Sequence, residues 1–92
     1  MSKAQQRKIN QIKKIVKDYV IFLEKDGFPV SAAYIYGSYA RGNFHEYSDI
    51  DVCIISPKIA EDWDKNERYL WRQRRQIDSR IEPIGYSPEE FK

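Results

Sequence analysis

Asp49 and Asp51 stand one residue apart in the run Ser48-Asp49-Ile50-Asp51-Val52-Cys53-Ile54-Ile55-Ser56. The alternation at its start predicts a strand over 49–56, with both carboxylates on one face and Ile50 and Val52 on the other. Two carboxylates held that close repel unless a cation neutralises them. Hard oxygen donors at this spacing suit Mg2+ or Mn2+, completed by water and substrate phosphates. They could hold one ion, or bridge two in a phosphoryl transfer. An isolated Asp-x-Asp pair is more often a solvated strand end, so the neighbouring residues decide. Upstream lies Gly37-Ser38-Tyr39-Ala40-Arg41-Gly42, directly after a β-prone run. Glycine permits a sharp turn and a close approach of phosphate to the backbone amides. A helix beginning there would aim free N–H groups at an anion, and Ser38 adds a hydroxyl. No lysine follows Gly42, so this is not a Walker A loop. Together the two motifs make a phosphate cradle beside a metal cradle.

The elements that must position these residues are legible from periodicity. Ile9, Ile12, Val16, Tyr19, Val20 and Leu23 recur at steps of three and four, which predicts a helix over 4–26 with Gly27 as its C-cap and Pro29 beyond. Residues 30–36 predict a short strand ending at Gly37, residues 38–42 a turn or short helix, and 43–48 a loop. Cys53-Ile54-Ile55 is apolar on both faces, as in a central strand, and Pro57 ends it. Residues 59–77 predict one long helix carrying Trp63, Leu70, Trp71, Arg74 and Ile77 near one face. Residues 78–84 predict a third strand, with Asp78, Arg80 and Glu82 on one face and Ile81 on the other. Pro83 confines it to an edge or ends it. Ser87-Pro88-Glu89-Glu90 has the form of a helix start. No repeat or linker interrupts this order, and every apolar face must be buried in one α/β layer arrangement.

Composition limits the alternatives. Ninety-two residues fit a single domain, 1–92. With one cysteine and one histidine, neither a disulfide nor a Cys/His zinc cluster can form. No apolar run approaches the length that spans a bilayer, and the first residues lack the apolar core of a signal peptide. The chain is expected to be cytoplasmic. The net charge of +2 is too small to mark a nucleic-acid binder. Its basic residues nevertheless load two segments, from Lys3 to Lys17 and from Arg68 to Arg80, which read as solvated helix faces or as an anion-attracting surface.

Gly37-Ser38-x-x-x-Gly42 followed by Ser48-Asp49-Ile50-Asp51-Val52 resembles the signature of the minimal nucleotidyltransferases, small prokaryotic members of the DNA polymerase beta superfamily. The motif spans only residues 37–52, but the predicted element order fits that family along almost the whole chain. The resemblance implies an α/β (α+β) fold, a small mixed sheet with helices packed mainly on one face. It implies that Gly37 and Ser38, with Arg41 and Gly42, bind the phosphates of a nucleoside triphosphate. It further implies that Asp49 and Asp51 coordinate Mg2+ or Mn2+. The reaction would move a nucleoside monophosphate, AMP from ATP, to a hydroxyl and release pyrophosphate.

The family also uses a third carboxylate from a later strand, which joins Asp49 and Asp51 on the metal and helps activate the acceptor. Glu82 is the preferred candidate here and Asp78 the alternative; the family usually has aspartate at this place, so glutamate is a departure. Minimal nucleotidyltransferases are commonly paired with a small helical protein of the HEPN type, in which the transferase resembles an antitoxin that adds AMP to its ribonuclease partner. The resemblance therefore implies a partner protein, with a homo- or hetero-oligomer expected from the thin core and exposed aromatics. Two other classes remain open. One is a transferase-fold module that neutralises a partner by binding alone, and the other a nucleic-acid binder using the basic helices.

Around the motif, Arg41 contacts a phosphate or pairs with Glu46 or Asp49. Ser48 is expected to hydrogen-bond the loop and His45 to be exposed. Tyr39 and Tyr47 are expected to pack rather than to stack on a base. Trp63 and Trp71 read as core or interface residues, and Cys53 as a buried small hydrophobe.

Overall fold

The computed structural model describes residues 2–45 and 47–91. Helix α1 (Lys3–Lys25) starts with a capping box in which Ser2 Oγ accepts from the Gln5 N–H and Gln5 Oε1 accepts from the Ser2 N–H. It buries Ile12, Val16, Tyr19 and Leu23, a single stripe at helical spacing. The helix closes at Asp26, and Gly27 follows with φ +85°, so that the Phe28 N–H reaches the Leu23 carbonyl. The remaining elements are β1 (Ala32–Tyr36), α2 (Ser38–Arg41), β2 (Ile50–Ile55), α3 (Lys58–Glu61), α4 (Trp63–Gln73) and β3 (Ile81–Tyr86), with a 3-10 turn at Arg74–Gln76.

The sheet is mixed. β2 lies centrally, antiparallel to β1 and parallel to β3. Parallel neighbours need a crossover, and α3 and α4 supply it. Ile50, Val52, Ile54 and Ile81 join α1, Ile59 of α3 and Leu70 of α4 in one apolar cluster. The helices therefore cover one face of the sheet, and Asp51, Cys53, Glu82 and Ile84 project from the other. Tyr19 Oη, buried in that cluster, donates to the Leu70 carbonyl at 2.8 Å and ties α1 to α4.

Four sequence expectations are corrected. The helix expected over 59–77 breaks at Asp62, whose backbone is extended and whose carboxylate accepts from the Lys65 N–H to cap α4. Of the core and interface readings of Trp63 and Trp71, the core one falls, because α4 turns Leu70 inward and leaves both indoles exposed. The third strand runs over Ile81–Tyr86 instead of 78–84. Asp78 and Arg80 fall in the preceding turn, where Asp78 Oδ1 accepts from the Arg80 N–H at 2.9 Å and holds the backbone out of the ladder. The helix expected at Ser87 is only a turn among the described residues, although Ser87 and Glu90 exchange reciprocal capping bonds. Pro83 is accommodated because β3 is an edge strand. Another edge amide, Gly85 N–H, donates to Glu67 Oε2 of α4 at 3.1 Å.

Two substitutions test this packing. Leu70→Ala should cost about 2–5 kcal/mol in urea unfolding, as a fully buried leucine does. Tyr19→Phe, which loses one hydrogen bond but little volume, should cost about 1 kcal/mol.

Candidate active site

β1 ends at Tyr36 and the chain reverses at Gly37, with φ +72° and ψ −145°. Side-chain-bearing residues are nearly excluded from that conformation. A second constraint acts at the same place. A Cβ on Gly37 would overlap Asp51 Oδ2 and stand 3.0 Å from Asp51 Cγ. The absent side chain is therefore the space in which the Asp51 carboxylate lies. One turn of helix follows, in which the Arg41 N–H donates to the Gly37 carbonyl, and the Gly42 and Asn43 N–H groups donate to that of Ser38. Gly42 closes it in the left-handed conformation, φ +81°.

The loop back to β2 is fastened from within. Tyr39 is buried and stacks on Phe44 with ring centroids 4.7 Å apart, and its hydroxyl donates to the Ser48 carbonyl. Ser48 Oγ accepts from the His45 N–H at 2.8 Å. Packing for Tyr39 and loop bonding for Ser48 match the sequence reading, and His45 is exposed. Tyr47 is 78% exposed and does not pack.

The carboxylates meet across the ladder. β2 begins at Ile50, one residue later than expected, so Asp49 precedes the strand and Asp51 lies within it. The register pairs Tyr36 with Asp51 and Asp51 with Glu82. Burial, then the nearby charges and hydrogen-bonding approach of Asp49 and Asp51, push the Glu82 carboxyl above the usual glutamate range. Burial, then the charge of Asp51, likewise raises the Tyr36 phenol.

Asp78 takes another course. Its carboxylate accepts from Arg80 Nε at 3.1 Å and from Arg80 Nη2 at 2.8 Å, and this guanidinium holds it below the ordinary aspartate range. Of the two third-carboxylate candidates, Glu82 adjoins Asp49 and Asp51, whereas Asp78 is committed to a cation of its own.

Ser38, Arg41, Asn43, His45, Asp49 and Asp51 help line a polar recess of about 320 Å³. Gly42, at the end of α2, is not among its lining residues. Among the described residues Arg41 forms no ion pair with Asp49, and the alternative pairing with Glu46 lies outside them. Also among the described residues, no three acidic, histidine or cysteine side chains form a closed cation cage. The donor set instead suits a small hard cation held by one or two carboxylates, with phosphate and water completing its shell, which is how Mg2+ is ordinarily bound. The overlap of Asp51 with the space over Gly37 places that carboxylate against the Gly37-Ser38 turn.

A family model described as "Nucleotidyltransferase domain" matches residues 9–88. The chain belongs to that family. The domain also resembles a crystal structure, at 1.40 Å, of a Sulfolobus solfataricus protein provisionally assigned as a nucleotidyltransferase. The TM-score is 0.76 at 26% identity, over 99% of this chain and 80% of that one. No curated protein matches the chain. Nucleotidyl transfer is thus the general chemistry of the nucleotidyltransferase domain, and the mixed sheet with one helical face is its fold.

Two residues to which the sequence assigns no site role help build the site. Tyr36 extends the carboxylate row across β1; its position directly before Gly37 was the available signal. Arg74 donates through Nη1 to the carbonyls of Ser79 and Ile81, on either side of Arg80. It ties the end of α4 to the start of β3, where Glu82 lies, across five and seven residues of chain, a contact that no sequence pattern marks.

Gly37→Ala should lower stability by about 1–3 kcal/mol from backbone strain, read by urea unfolding, and should displace Asp51. Glu82 gives a pH-dependent prediction. Its folded-state pKa is raised, so the native state holds a proton more tightly than the unfolded chain and loses stability as pH rises past the ordinary glutamate range. Glu82→Gln should melt above wild type at about pH 7.5 and converge with it near about pH 4. Asp78→Asn should behave oppositely, melting below wild type at neutral pH because it loses a charge favoured by Arg80.

Proposed function

We propose that this nucleotidyltransferase domain moves AMP from ATP to a hydroxyl on a partner protein, with a small helical HEPN-type protein as that partner. The observation that carries the transfer reading is the carboxylate row, Asp51 beside Glu82 with Asp49 adjoining, set against the Gly37-Ser38 turn. Such a group of acids is costly unless it works on a cation and a polyphosphate.

Ser38 and Arg41 bind the β- and γ-phosphates in the polar recess, and the Gly37 turn brings the backbone close to them. Asp49 and Asp51 hold a divalent cation, Mg2+ or Mn2+, which supplies charge neutralisation for the polyphosphate when bound. Glu82, its carboxyl pushed above the usual glutamate range by burial and the neighbouring acids, takes the proton from the acceptor hydroxyl. The acceptor oxygen bonds to the α-phosphorus, the bond from that phosphorus to the bridging oxygen breaks, and the electron pair leaves with pyrophosphate. Arg41 and Ser38 meet the charge that develops on the leaving group. Proton, phosphoryl group and electron pair are thereby all accounted for by named groups.

Labelling with ATP carrying its label on the α-phosphate, with Mg2+ or Mn2+ and a lysate of the native host, tests this reading. Wild type should label a protein band, and Asp51→Asn, still folded, should reduce labelling by at least about 100-fold. Glu82→Gln should lose about 100-fold or more as a missing general base, while Asp78→Asn should retain most transfer. Equal labelling by wild type and Asp51→Asn would sink the mechanism. No labelling by either would favour a module that neutralises its partner by binding alone.

A further inference from the structure

The uncovered sheet face carries a second feature beside the carboxylate row. The register sets out parallel rows across the three strands: Tyr36, Asp51 and Glu82, then Tyr34, Cys53 and Ile84, then Ala32, Ile55 and Tyr86. Adjacent rows on one face are two residues, or about 7 Å, apart. The whole second row, Tyr34, Cys53 and Ile84, lines a cleft of about 470 Å³ together with Tyr36 of the first row, Tyr86 of the third and Phe91 of the final turn. Phe91 meets Tyr34 edge-on with centroids 5.2 Å apart and lies over Tyr86 at 6.1 Å. Tyr34 remains 52% exposed. No lining side chain is charged. Such a group of exposed aromatics is costly in water unless it receives something.

The cleft lies on the opposite side of the carboxylate row from the polar recess. Asp51 lines the recess, beyond the end of β1 and before the start of β2. Tyr36, its partner across the ladder, lines the cleft, which extends toward the start of β1 and the ends of β2 and β3. Phosphoryl transfer places the attacking and leaving oxygens roughly in line through phosphorus. With pyrophosphate leaving into the recess, the attacking hydroxyl must enter from the side of the cleft.

We infer that this aromatic cleft is the acceptor subsite, and that its occupant is a polypeptide segment with uncharged, apolar residues flanking the hydroxyl. The inference rests on the proposed transfer reaction and adds where, and by what chemistry, the acceptor is held. The lining disfavours a nucleic-acid acceptor, whose phosphates would need cations along their path. Aromatic side chains on a rigid strand offer large apolar contact at little entropic cost, which suits a protein partner.

The experiment repeats α-labelled ATP transfer into host lysate with Tyr34→Glu and Tyr34→Phe. Affinity for trinitrophenyl-ATP is measured in parallel, and folding is checked by circular dichroism. Tyr34→Glu places a charge on the exposed wall of the cleft. It should slow labelling at limiting lysate by at least about tenfold while trinitrophenyl-ATP affinity stays within about twofold. Tyr34→Phe should label like wild type. Phe91→Glu, on the facing wall, repeats the test should Tyr34→Glu not fold. Undiminished labelling by the folded glutamate variants would overturn the acceptor subsite while leaving the transfer reaction standing. A matching loss of nucleotide affinity would reassign the cleft to the nucleotide, and a nuclease-sensitive labelled band would replace the polypeptide with a nucleic acid. No labelling by wild type would remove the transfer reading and the acceptor subsite with it.

Discussion

Asp51 and Glu82 face each other across a parallel ladder, with Asp49 beside them, and like charges at such distances repel. The surrounding structure is arranged to tolerate that repulsion. Ile50, Val52 and Ile54, interleaved with Asp51 and Cys53, anchor β2 in the core from the opposite face. Tyr19 and Leu70 link the two long helices beneath the sheet. The Glu82 carboxyl yields by holding its proton more tightly, which trades charge repulsion for a group suited to accept a proton.

The turn at Gly37 solves the local part of the same problem. A side chain there would need a nearly forbidden backbone and would occupy the volume of the Asp51 carboxylate. Conformation and space thus demand the same residue independently. The short helix after it and the Tyr39–Phe44 stack keep the loop compact, so the polar recess opens directly beside the acids.

Much of this was legible in the residues. The helical stripe from Ile9 to Leu23, the alternation of Asp49-Ile50-Asp51-Val52 and the breaks at Gly37 and Pro57 each follow from local physics, and the elements form nearly where the pattern puts them. The break at Asp62 was hidden because apolar residues on both sides keep helical spacing, and only the extended backbone reveals its cap. The separation of Glu82 from Asp78 required the register of β3. On a strand starting at 78 both acids share one face, with Glu82 preferred, but the Arg80 side chain and backbone claim Asp78 and delay the strand to Ile81. The aromatic cleft was invisible for a similar reason: Tyr34, Ile84 and Tyr86 become neighbours only through pairing across three strands.

The crossover between β2 and β3 has a consequence for how the site comes into being. β1 and β2 are joined by a short excursion through α2, so Gly37, Asp49 and Asp51 can be assembled by nearly local contacts. Glu82 arrives only after the chain has closed a much longer loop through α3 and α4, a slower event governed by loop entropy. Completion of the carboxylate row during refolding is therefore a chronometer of the parallel strand pairing, and lags any probe that senses only the first half of the sheet.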